Sequence, residues 1–218
     1  MIGNSHSVRA IFLAATLTVF GVAYADEPDL RLRATVAGAK AAPLSIEVLR
    51  WSTVAERAPL LAALAPPPPP PPPAAGAAPA APGRGGRAGR GGRGAAPPLS
   101  TAARLSAAVK AAPTVGFIWG DGPTGYGIKY AWREMADDNV SRVVLITDRR
   151  VGAHSSTWPQ AAAAAADAEF TVLELRFDGK GTGAGKASST TNLIVHPATQ
   201  SLRLEAYAQE PVSLEVSR

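Results

Sequence analysis

The stretch "FTVLELRFDGKGTGAGKASS", residues 170–189, reads either as a phosphate-binding loop or as a strand running into a hairpin. Gly181, Gly183 and Gly185 ahead of Lys186 imitate the first. A Walker A loop, G-x-x-x-x-G-K-[ST], requires glycine where Lys180 stands, a hydroxyl residue where Ala187 stands, and a helix opening behind it, whereas a strand follows here. Asp178–Ser189 is therefore expected to be a Gly-rich hairpin loop, with glycine supplying the positive φ that such turns need.

Outward from this stretch the pattern is a meander. Leu173, Leu175 and Phe177 alternate with polar residues, followed by Leu193 and Val195, Leu202 and Leu204, and Val212, Leu214 and Val216. Turn chemistry separates the runs, as at Pro197 and Pro211, and links this short imply antiparallel pairing. Upstream, Leu30, Leu32, Ala34 and Val36 alternate with Arg31, Arg33 and Thr35, and Leu44, Ile46 and Val48 with Ser45 and Glu47. Val115–Trp119, Tyr126–Arg133 and Arg142–Thr147 read as further strands, the last apolar on both faces and hence central.

Two helices interrupt the strands. Thr53 and Glu56 form a capping box ahead of Leu60, Leu61 and Leu64, and Pro59 inside the run predicts a kink or a later start. In "STAARLSAAVKAAP", Ser100 or Thr101 caps a helix that carries Leu105 and Val109 on one face. The expected fold is α+β: a largely antiparallel, strongly twisted or partly closed sheet of about eight strands with a helical hairpin. The alternative is a closed β-barrel with flanking helices.

The N-terminus carries Arg9, an apolar stretch from Ala10 to Val22, and Ala23-Tyr24-Ala25 before Asp26, which predicts a signal peptide over residues 1–25. The apolar stretch is short of a membrane span and no later stretch is apolar enough, so a periplasmic or secreted chain without a retained span is expected. Residues 26–218 then form a single domain, interrupted at 65–98 by a Pro/Ala/Gly/Arg insert with too little apolar side chain to order itself. Without that insert about 160 residues remain, enough for one core. The chain has no cysteine, which excludes disulfides, thiolate metal sites and a cysteine nucleophile.

Within the insert, "GRGGRAGRGGRG" (residues 83–94) supplies Arg84, Arg87, Arg90 and Arg93. Arg-Gly repeats suggest nucleic acid, but the segment has no aromatic residue to stack on bases, so no specific nucleic-acid partner is expected. Setting aside these arginines and Arg9, basic and acidic side chains balance at 17 each, and the net charge of +5 belongs to the two segments. The insert is read as a tolerated low-complexity insertion, with weak, salt-sensitive adhesion to a polyanion through its four arginines as the alternative.

"IEVLRWSTVAERAPLLAAL", "GYGIKYAWR", "RVVLITDRR" and "FTVLELRFDGKGTGAGKAS" are similar to segments of a group of uncharacterised exported bacterial proteins. The resemblance covers most of the chain outside the insert and implies export and this layout. In that group the two helices are joined without a long Pro/Gly/Arg segment. It brings no activity, ligand or site residue.

Chemistry-bearing residues are few. His196 precedes Pro197 at a turn, and His154 lies near Ser155, Ser156 and Asp148, so a periplasmic hydrolase would depend on His154. No G-x-S-x-G elbow accompanies it. No catalytic residue, metal ligand or cofactor is assigned, and an enzyme is not the expected reading. In "GYGIKYAWR" a two-residue period places Tyr126, Ile128, Tyr130 and Trp132 on one face. Such a row is either core or the wall of a pocket for an apolar or sugar-like ligand. The long connection before Phe170 adds His154 and Trp158. The candidate ligand-binding residues are Tyr126, Tyr130, Trp132, His154 and Trp158. The expected function is that of a soluble, exported, non-enzymatic envelope protein that binds a small ligand or an envelope protein partner.

Overall fold

The computed structural model describes residues 29–39, 42–66, 99–120, 122–136, 140–153, 158 and 167–218. In chain order they form β1 (Leu30–Val36), β2 (Leu44–Val48), α1 (Val54–Leu64), α2 (Thr101–Ala111), β3 (Gly116–Trp119), β4 (Tyr126–Met135), β5 (Ser141–Thr147), β6 (Val172–Phe177), β7 (Gly183–Ser188), β8 (Leu193–His196), β9 (Ser201–Leu204) and β10 (Val212–Ser217). Eight strands close into a barrel in the order β1-β10-β7-β6-β5-β4-β3-β2, and β8 pairs with β9 in a separate ribbon. Every neighbouring pair is antiparallel. The sheet thus closes completely, with the helical hairpin inserted between β2 and β3 and the ribbon between β7 and β10.

Alternation explains the lumen. Leu30, Leu32, Ala34 and Val36 of β1 and Val212, Leu214 and Val216 of β10 point inward and join one core with Ile46, Leu145 and Leu175. Arg31, Arg33, Ser213 and Glu215 between them are exposed, the pattern of a barrel whose outer face meets water there. Among the described residues no helix is long and apolar enough to cross a membrane.

The Gly-rich stretch divides at residue 183. A tight turn comes first, in which Asp178 Oδ1 accepts the N–H groups of Lys180 (2.9 Å) and Thr182 (3.1 Å). Gly183–Ser188 is then a barrel strand rather than loop. Of the glycines ahead of Lys186, Gly181 has the positive φ, +81°, that the turn predicted. Gly183 and Gly185 serve close approach instead. A Cβ on Gly183 would stand 2.0 Å from the Arg176 carbonyl oxygen, and one on Gly185 2.6 Å from Leu175 Cδ2. Small residues here leave the lumen to the larger side chains opposite.

A second core lies on the barrel's outer flank. Val144 and Ile146 of β5, Tyr130 of β4 and Val172 of β6 face outward and are covered by Leu60 of α1, Leu105 and Val109 of α2, and Leu193, Leu202 and Leu204 of the ribbon. Strand β5, between β4 and β6, is therefore apolar on both faces because both are buried. Helix α1 begins at Val54, directly behind its Thr53–Glu56 capping box, and contains Pro59 without a delayed start. Pro59 and Ala55 are both exposed, so the carbonyl that Pro59 leaves unpaired meets solvent.

The ribbon raises a problem of hydrogen bonding, because the outer edge of β9 is buried. Two barrel side chains solve it. The N–H of Leu202 donates to Tyr130 Oη at 3.2 Å, and that of Leu204 to Glu174 Oε2 at 3.0 Å. Burial, the larger effect, pushes the Tyr130 phenol up to about 12, so it stays neutral beside its partner. Glu174, fully buried, is held by Arg176 at 2.7 Å and Arg142 at 3.3 Å. Glu134 Oε1 meets Arg142 at 2.8 Å and Arg203 at 2.6 Å, while its Oε2 accepts Thr199 and Ser201.

The Tyr130→Phe variant keeps the ring but leaves the buried Leu202 N–H without an acceptor, so urea unfolding should show a loss of about 1–3 kcal/mol. The tips of the helical hairpin are already tied, since Arg104 donates to the carbonyls of Ala63 (3.2 Å) and Ala65 (2.8 Å). Replacing residues 67–98 by a linker of about eight residues should raise stability by about 1 kcal/mol through the shorter closure; a lower melting temperature in the same protein would show that the segment supports the fold.

Candidate ligand-binding pocket

A β-bulge divides the aromatic row of β4. Ile128 pairs with Thr147 but Tyr130 with Ile146, so Lys129 is an extra residue opposite β5. Tyr126 and Ile128 face the lumen core, while Tyr130 and Trp132 join the flank core. The expectation that these four side chains share one face is corrected here: one inserted residue flips everything beyond it. Lys129 is put to use at the bulge, donating to the carbonyl of Ala112 at the C-terminus of α2 at 3.1 Å.

Tyr126 and Trp158 lie together at the rim of the lumen core. Tyr126 Oη accepts the N–H of Gly152 at 3.1 Å, and Gly152 lies so close under Trp158 that a Cβ would stand 2.2 Å from its Cγ. Both are partly buried against that core. Tyr130 is fully buried. Trp132 borders a pocket. His154 and the four insert arginines, Arg84, Arg87, Arg90 and Arg93, lie outside the described residues, as does the expected signal peptide. His196 Nδ1 lies 3.0 Å from Thr199 Oγ1 in the turn. Lys186, the lysine of the phosphate-loop look-alike, sits on β7 and donates to Ser213 Oγ at 2.9 Å and the Glu210 carbonyl at 3.2 Å.

The pocket, open to solvent and of about 510 Å³, is lined by Trp51, Trp132, Arg133, Glu134 and Met135. Its position follows from the brevity of β3. The chain leaving β2 takes over beside β4, where the Ser52 N–H donates to the Ala131 carbonyl at 2.9 Å and Ser52 Oγ accepts the Ala131 N–H at 3.0 Å. This docking sets Trp51 against the outer half of β4. The segment is fixed from the other side by Glu56, whose Oε2 accepts the Thr53 N–H at 2.8 Å while Arg50 grips both its oxygens at 2.8 Å.

Trp132 is held by Arg57 of α1, whose guanidinium carbon lies 3.8 Å from the ring centroid. Arg57 is buried, 4% exposed, and its Nη1 donates to the Gln200 carbonyl at 2.9 Å. Its Nε and the indole Nε1 of Trp132 are buried without a hydrogen-bond partner. Burial raises the Glu134 carboxyl, but Arg142, Thr199, Arg203 and Ser201 together outweigh it and hold its pKa below the ordinary value. Of the residues at this pocket, the sequence reading named Trp132 and did not name Trp51, Arg57 or Glu134. The available signals were the capping box, which fixes where Trp51 must stop, and a cation on the stripe of α1 shared with Leu60 and Leu64.

Comparison of the chain with protein-family models, with curated proteins and with solved structures gives no match, so the pocket is interpreted from its own geometry. The Arg50 hydrogen bond, then that of the Thr53 N–H, lowers Glu56 from 4.5 to about 2. Because the folded value lies below the unfolded one, its stabilisation is complete above 4.5 and disappears as pH falls to about 2. Glu56→Gln should therefore cost under about 1 kcal/mol near neutral pH, as befits a largely solvated pair. Paired urea titrations should show the two proteins converging as pH drops through that window.

Proposed function

We propose that this is an exported, non-enzymatic envelope protein that binds a small ligand on the outer flank of its barrel, beside β4. The observation that carries the reading is the contrast between lumen and flank. The lumen is occupied by Ile46, Leu145, Leu175, Leu214 and their neighbours, all buried. The pocket between Trp51 and Trp132, at about 510 Å³, is within the range of small-molecule sites, roughly 300–1,000 Å³. Two indoles, one thioether and two charged groups line it. Mostly apolar walls with a few polar groups are what orient a small ligand. Export is supported by the N-terminal sequence alone: an apolar stretch followed by Ala23-Tyr24-Ala25.

The Trp51 side chain forms a wall of the pocket and is half-buried, so it can be shortened with limited cost to the barrel. Native mass spectrometry of the protein purified gently from its own host should show a bound small molecule in the wild type and its loss in Trp51→Ala. A clean apo mass for the wild type under the same conditions would count against a small ligand and leave a partner protein as the occupant.

A further inference from the structure

We infer that the pocket takes a flat apolar molecule bearing an anionic group, of which an aromatic carboxylate is the simplest example; this rests on the reading of the pocket as a small-ligand site. The walls define the body of the ligand. Trp51 and Trp132 offer ring surface, and Met135, 57% exposed, offers a polarizable sulfur at the edge.

The sign of the charge follows from which groups are already engaged. Glu134, the acid of the lining, has both oxygens committed: Oε1 to Arg142 and Arg203, Oε2 to Thr199 and Ser201. Arg133 is exposed, and among the described residues its guanidinium meets one hydroxyl, that of Ser141, at 2.9 Å from Nη2. A guanidinium carries five donors in a planar fork suited to a carboxylate, so most of that capacity is open. Behind Trp132, Arg57 brings a second cation that has no carboxylate partner among the described residues. Buried against the indole at 3.8 Å, its charge is weakly screened and makes the pocket more positive. A cationic ligand would face a neutralised acid and two arginines that meet no carboxylate among the described residues. An anion completes the set.

Arg133 is the group to test, because it is exposed and its replacement leaves both cores intact. Isothermal titration calorimetry on the full chain would compare 2-naphthoate with 2-naphthalenemethanol, which has the same ring and no charge. The carboxylate should bind about tenfold more tightly, the worth of one charge-assisted pair. In Arg133→Gln that preference should fall to about threefold or less while the alcohol binds as before. Equal affinity of the wild type for both compounds would overturn the anion inference and leave an apolar pocket. Binding of neither by a protein with a normal melting transition would overturn the pocket reading itself.

Discussion

The lumen of an eight-stranded antiparallel barrel is just wide enough to be filled by side chains, and the rest of this molecule follows from how that space is filled. Strand β7 contributes almost no volume. Its Gly183 and Gly185 bring it against the Arg176 carbonyl and the Leu175 side chain, and its Ala187 is the largest of its inward residues. Phe177, Leu175 and Leu214 of the neighbouring strands occupy the space so released. Among the described residues the inward positions of the barrel are filled by side chains, and the pocket beside Trp51 and Trp132 lies toward its surface. The inserted helices and ribbon supply that surface with depth.

On the flank the chain solves a different problem. Burying a two-stranded ribbon against a barrel would strand its edge N–H groups, each costly when unpaired. Tyr130 and Glu174 act in place of a third strand. Using a carboxylate for this purpose demands counter-charge, which Arg142 and Arg176 provide, and Glu134 then bridges Arg142 to Arg203 of the ribbon. The arginines around the pocket thus divide by origin. Arg142, Arg176 and Arg203 answer buried glutamates, whereas Arg57 and Arg133 face no carboxylate among the described residues.

Much of the fold is legible in the sequence wherever a single rule governs. Strands β1, β2 and β10 alternate because one face is lumen and the other water; the capping box marks the start of α1 to the residue; β5 is apolar over Val143–Ile146 because both its faces are buried there. Legibility fails where two constraints meet. Strand β7 reads as loop because its glycines answer interstrand distance rather than turn geometry. Strand β4 shows unbroken alternation, yet the bulge at Lys129 sends Tyr126 and Tyr130 into different cores; the extra residue contacts Ala112 at the end of α2, a partner that a local period does not contain. The pocket was half legible for the same reason. Trp132 stands out as an aromatic on a strand, but Trp51 reaches its neighbourhood because β3 begins only at Gly116, opposite Ile128, and Ser52 docks on Ala131.

The barrel is closed by β1 against β10, with Arg33 opposite Ser217 and Val36 opposite Leu214. The seam therefore joins the first described strand to the last. During synthesis the first seven barrel strands can be present in sequence order and still form only an open sheet with two free edges, since the seam waits for β10. Closure is then a late, long-range event of the kind that slows folding, and until it happens β1 and β7 expose unpaired backbone that invites pairing with other chains. The alternating Arg31 and Arg33 on the outer face of β1 place charge on the edge that waits longest, a composition suited to keeping it solvated until its partner arrives.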